Sequence, residues 1–189
     1  MDIEKARQLV KEQLTQKRFD HTLRVTDTAV ELAKHYNINV TDVTLAALLH
    51  DYAKDMNENR LRSSIGKFNL PKDLLTYDVE LWHGPVAASV FEQQYKLENK
   101  DIIHAIYYHT TGRANMSMTE LIVFVADYIE PARSFPGVDA VRDIAAEDIR
   151  LAAREALKNT IIFLLNKQVT IHPNTFLAYN DLTKVIGVN

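Results

Sequence analysis

A chain of 189 residues is long enough for one domain that buries roughly 70% of its unfolded surface. Its 47% hydrophobic and 25% charged residues and its net charge of −3 describe an ordinary soluble globular protein, with no basic stripe for nucleic acid. The absence of cysteine excludes a disulfide framework and thiolate-held zinc, no apolar run reaches the roughly 18 residues of a spanning helix, and Met1-Asp2-Ile3-Glu4-Lys5-Ala6 lacks a leader's apolar core, so a cytoplasmic protein with no membrane partner is expected.

With only five glycines and five prolines, and apolar residues recurring near every 3.6 positions, the pattern predicts an all-α fold. The spacing places helices over 2–16, 20–36, 41–54, 57–67, 71–77, 85–95, 100–109, 118–130 and 147–168. Thr41 or Asp42, Asn57, and Thr119 or a neighbour supply N-cap chemistry, and Pro71 and Pro85 suit first-turn positions. The clearest break is the loop 130–138, with Pro131, Pro136 and Gly137. It follows Asp127 closely and reads as the rim of a site. Residues 1–189 are expected to form one domain, with a metal-binding core at about 18–133 and a C-terminal helix and tail, 147–189, packed on it.

Six side chains suited to a divalent ion occur in or beside these helices: His21, the adjacent His50 and Asp51, His83, His109 and Asp127. At this composition about half a His-Asp pair is expected by chance, so context carries the signal. His21 begins a face continued by Arg24, Val25 and Ala29, and Arg18 lies one turn before it; Arg18 could meet a phosphate or solvate the helix start. His50 and Asp51 end the apolar run Leu45-Ala46-Ala47-Leu48-Leu49, where a carboxylate without a partner costs several kcal/mol. Lys54 follows Asp51 by three residues, placed either to offer its ammonium to a phosphate or to begin a solvated stretch. His83 precedes a predicted helix start, whose free N–H groups favour anions. His109 closes an apolar helix, where it could instead complement the helix dipole. Asp127 interrupts the apolar run 121–126 and needs a compensating charge. His35 and His104 face elsewhere.

The order His, His-Asp, Asp resembles the HD-domain superfamily of metal-dependent phosphohydrolases. The local strings Arg18-Phe19-Asp20-His21, Leu49-His50-Asp51-Tyr52-Ala53-Lys54, Trp82-His83-Gly84-Pro85, Tyr108-His109-Thr110-Thr111-Gly112 and Ala126-Asp127-Tyr128-Ile129-Glu130-Pro131 resemble its YqeK family. The likeness extends to Ile171-His172-Pro173-Asn174-Thr175 and Tyr179-Asn180.

That resemblance implies an all-helical HD fold and a symmetrical dinucleoside tetraphosphatase, which turns diadenosine tetraphosphate and water into two ADP. His21, His50, Asp51 and Asp127 would hold the principal metal; Arg18, Lys54, His83, His109 and Arg133 would face the polyphosphate, with Arg24 a further candidate. Asp51 would orient the water or act as base, and Lys54 would stabilise the leaving group. One firmly held ion is expected, with His83 and His109 as ligands of any second one. Iron is the first choice of metal, with manganese or cobalt as alternatives. The expected partners are a dinucleoside polyphosphate and its ADP or GDP product, and a homodimer is left open. The rival readings are another HD phosphohydrolase, whether nucleotidase or phosphodiesterase, and a nucleotide-sensing protein without turnover.

Overall fold

Seven consecutive residues, Val43–Leu49, are buried on all sides, and the helix that carries them organises the molecule. The structure, a computed structural model, describes residues 1–187. Among these residues there are ten α-helices and no strand, as the glycine-poor, 3.6-periodic sequence predicts.

The buried helix is α3 (Val40–Leu49), enclosed by α1 (Ile3–Gln13), α2 (Gln16–His35), α6 (Lys100–Tyr108) and α7 (Met118–Ile129). Helix α7 is almost as deeply buried as α3, from Thr119 through Ala126, and α2 packs on both. Removing Leu48 and Leu49 fully from water stabilises the fold by roughly 2 kcal/mol each. On the far side of α7 lie α8 (Val138–Ala145) and α9 (Ile149–Asn166), and α10 (Pro173–Ile186) packs along α9. Helices α4 (Glu58–Lys67) and α5 (His83–Ser89) complete the core on the α6 side.

Several boundaries differ from the sequence reading for local reasons. The expected helix over 41–54 stops at Leu49, and the chain continues in tight turns closed by Lys54 N–H to Asp51 O and Met56 N–H to Ala53 O. Lys54 therefore sits on a turn rather than a helix face. Asn39, not Thr41 or Asp42, caps α3, and Thr15 starts α2 a turn earlier than expected. Ser117 caps α7 in a reciprocal box with Glu120. The expected helix over 85–95 begins at His83, and its last part, Val90–Gln94, is a π-turn; the helix over 71–77 is a 3-10 turn, Lys72–Thr76. Helices α8 and α10 are unforeseen. The first starts directly after Gly137, whose φ of 89° reads as loop, and the second has His172 as N-cap and Pro173 at its first position.

Three C-terminal helix ends meet at one place. His50 is the C-cap of α3, His109 is the C-cap of α6, and Asp127 lies in the last turn of α7. Helix C-termini carry partial negative charge, so their convergence makes a cation-attracting end of the bundle. His21 of α2 and His83 at the start of α5 face the same spot.

Candidate metal centre

The site is built around Asp51, whose two oxygens face two pairs of histidines. Its Oδ2 lies 3.5 Å from Nε2 of His50 and 3.7 Å from Nε2 of His21. Its Oδ1 lies 3.1 Å from Nε2 of His83 and 3.7 Å from Nε2 of His109. Asp127 Oδ1 approaches His21 Nε2 to 3.0 Å. All four histidines and Asp51 are buried, and Asp127 is partly so.

Each histidine is turned by its other nitrogen. Nδ1 of His50 donates to the Ala47 carbonyl at 2.6 Å, that of His83 to the Glu80 carbonyl at 2.7 Å, and that of His109 to the Ile106 carbonyl at 2.8 Å. Nδ1 of His21 donates to Oε1 of Glu130 at 3.1 Å. Carbonyls and carboxylates only accept, so the ring proton is assigned to Nδ1 in all four, and four Nε2 lone pairs are left pointing at Asp51. For His50 and His109 the same bond also ends the helix. The Ala47 carbonyl would otherwise accept from the N–H four residues on, and the side chain takes that place.

This arrangement fits a divalent ion. Nε2 of His21 and Nε2 of His50 are buried with no hydrogen-bond partner, which is costly unless a cation meets them. His21, His50 and Asp127 offer three atoms within 4.8 Å of one another, and so do His50, Asp51 and His109. Nε2 of His83 and Nε2 of His109 stand 2.9 Å apart, two lone pairs in near contact, and Thr110 Oγ1 reaches His109 Nε2 at 3.1 Å.

The electrostatics agree. Burial alone would raise the Asp51 carboxyl, but the charge His50 can carry and the close approach of His109, His50 and His83 outweigh it and hold it well below the usual carboxylate range. Burial is likewise outweighed at Asp127 by His21, His50 and Arg133, and its carboxyl is held low. At His50 burial opposes a positive charge, yet Asp51, Asp127 and the Ala47 carbonyl raise its pKa, so the surroundings favour a cation there. His83 is pushed by burial down to about 4 and is neutral near pH 7, its Nε2 free to coordinate.

Arginines brace the carboxylates. Arg18 Nη1 donates to Asp51 Oδ2 at 3.0 Å, and Arg133 Nη2 donates to Asp127 Oδ1 at 2.7 Å. Arg24 Nε donates to Glu130 Oε2 at 2.7 Å, one step behind His21. Lys54 pairs with Glu80 and lines a cavity of about 330 Å3 together with Arg18, Asp51, His83, Asp127 and Arg133. All ten residues expected at the site, His21, His50, Asp51, Asp127, His83, His109, Lys54, Arg18, Arg24 and Arg133, thus lie in one region. Sequence reasoning overlooked Glu130 and Glu80. Glu130 stands three residues beyond Asp127, immediately before Pro131, and that spacing from a candidate ligand was its one available signal.

The HD-domain family model matches residues 18–132, the span that holds every one of these side chains up to Glu130. The chain belongs to the HD-domain family. It is similar to the symmetrical bis(5'-nucleosyl)-tetraphosphatase of Bacillus subtilis, 42% identical over 182 residues covering 96% of this chain and 98% of that one. The enzyme of the same name from Halalkalibacterium halodurans is 46% identical over 178 residues, covering 94% and 95%. A crystal structure from Clostridium acetobutylicum, described as a predicted HD superfamily hydrolase involved in NAD metabolism, superposes with a TM-score of 0.91 at 35% identity over 98% of each chain. HD domains are metal-dependent hydrolase domains, and the buried His and Asp cluster of this member offers the donor set that a divalent ion takes.

Proposed function

We propose that this HD-domain protein hydrolyses dinucleoside tetraphosphates at their midpoint, converting diadenosine tetraphosphate and water into two ADP. The observation that carries the reading is the set of four Nε2 lone pairs gathered on Asp51, in a chain that matches symmetrical tetraphosphatases from end to end.

In this reading His21, His50, Asp51 and Asp127 hold the principal ion. Bound there, a divalent metal polarises a phosphoryl oxygen and acidifies a water molecule. The mixed nitrogen and oxygen donors suit iron first, with manganese or cobalt as alternatives. One firmly held ion remains the first reading, and His83 and His109, which face the other Asp51 oxygen, would be the ligands of any second one, a role that the 2.9 Å approach of their lone pairs supports over direct phosphate contact.

The chain's own residues do the rest. Asp51 carries its negative charge at neutral pH and orients the attacking water by accepting a hydrogen bond from it. The water oxygen bonds to one inner phosphorus, and the bond from that phosphorus to the bridging oxygen breaks. The bridging oxygen leaves with the second ADP, and the water's proton passes to solvent. Arg18, Arg133 and Lys54 surround the cavity and offset the charge that gathers on the leaving oxygen. A small anionic substrate and a cysteine-free chain suit a cytoplasmic enzyme.

Product chromatography tests the reading: ADP as the sole nucleotide product supports it, whereas ATP with AMP, or no hydrolysis by metal-loaded protein, overturns it.

A further inference from the structure

A second cavity, about 450 Å3, adjoins the first. Arg18 and Arg133 line both and form their shared wall. The candidate ligands divide across that wall, since His21 borders the larger cavity while Asp51 and Asp127 border the smaller. The metal cluster therefore lies at a junction, with space on either side of it.

The two cavities differ in charge. Around the smaller one the cations Arg18, Lys54 and Arg133 are matched by the carboxylates Asp51, Glu80 and Asp127. Around the larger one Lys17, Arg18, Arg24 and Arg133 face only Asp55 and Glu130. Both of those carboxylates are engaged: Asp55 accepts from the Thr15 N–H at 2.7 Å, and Glu130 accepts from His21, Arg24 and the Ala132 N–H. Arg24 bonds Glu130 through Nε and keeps two terminal amino groups for an anion. The lining of the larger cavity thus carries four cations against two carboxylates, although Arg18 and Arg133 are also paired with Asp51 and Asp127 of the smaller one, and both volumes fall in the usual range for ligand sites.

We propose that the larger cavity is a second nucleoside diphosphate site, which holds one ADP arm of the substrate through Lys17 and Arg24 while the other arm occupies the smaller cavity. This rests on the tetraphosphatase reading. It supplies what midpoint cleavage needs: an arm of equal length fixed on each side of the cluster, with Arg18 and Arg133 beside the inner phosphates. Lys17 is a specificity residue in this scheme. It is exposed on the first turn of α2 and borders the larger cavity but not the smaller, so replacing it is expected to leave the cluster intact.

Equilibrium dialysis of labelled ADP against the metal-loaded full chain tests the proposal. The wild type is expected to bind two ADP per chain. In Lys17→Glu one of the two affinities falls roughly tenfold, the other is unchanged, and bound metal is unchanged; Lys17→Gln falls between. In turnover the same variant raises KM for diadenosine tetraphosphate by a similar factor with kcat nearly constant, the signature of lost ground-state binding. One ADP per chain in the wild type, or two sites that both ignore Lys17→Glu, overturns the second site. Absence of tetraphosphate hydrolysis overturns the functional reading instead, and the ADP stoichiometry still decides whether this site exists.

Discussion

Oε1 of Glu130 lies 3.1 Å from Nδ1 of His21, and that contact determines which nitrogen of His21 carries the proton. A neutral imidazole whose Nδ1–H is held by a carboxylate presents a more basic Nε2, fixed in orientation, to an ion. Glu130→Ala is expected to lower metal affinity about 10- to 100-fold, and Glu130→Gln, which keeps an acceptor oxygen, by less. Chelator competition on the reconstituted protein measures both. Wild-type affinity in the alanine variant would remove Glu130 from this role.

Among the described residues Asp51 is the one side chain that faces all four histidines, so its loss is expected to be felt most widely. Asp51→Asn keeps the shape and removes the charge. Hydrolysis should vanish and bound metal should fall, with His50→Ala behaving alike. Full metal content together with full activity in Asp51→Asn would contradict the arrangement.

Lys54 lies outside the cluster, on the turn after it, and its ammonium pairs with Glu80 at the cavity edge. Lys54→Ala should retain metal and lose about a hundredfold in kcat, the usual size of one donor to developing charge. An unchanged kcat would leave Lys54 as a partner of Glu80 and no more.

Gly84 sits where α5 crosses α6. A Cβ there would meet the Tyr107 carbonyl oxygen at 2.9 Å, the Ile106 carbonyl oxygen at 3.1 Å and His109 Cε1 at 3.2 Å. Two of these neighbours are backbone and cannot swing aside. Gly84→Ala should destabilise by roughly 1–3 kcal/mol and displace His109. Gly66→Ala, with nothing within 4 Å, should be neutral or slightly stabilising. Thermal unfolding of the pair distinguishes crowding from a general effect of alanine.

The sequence pattern showed the core of this molecule because α3 and α7 are apolar on every face, and a polar residue in such a run stands out. His50, Asp51 and Asp127 were legible for that reason. Less legible were features that depend on contacts distant in sequence. Glu130 looks like the first residue of a proline-rich loop until α2 is seen to bring His21 and Arg24 against it. The end of α3 at Leu49 depends on the His50 ring taking the Ala47 carbonyl, a choice of bond that apolar periodicity does not record. Helix α8 has eight residues, too few for a periodic signal after a glycine and two prolines, and α10 leaves Phe176, Leu177 and Val185 exposed, which blurs its apolar face.

Titration of metal into chelator-treated protein, with bound ion and released nucleotide measured in the same samples, tests the central claim most directly. The account predicts no hydrolysis of diadenosine tetraphosphate at zero metal, ADP as the only product, and a rate that rises in step with ions bound at the His and Asp cluster. Hydrolysis by metal-free protein, or a rate independent of the ions bound, would contradict it.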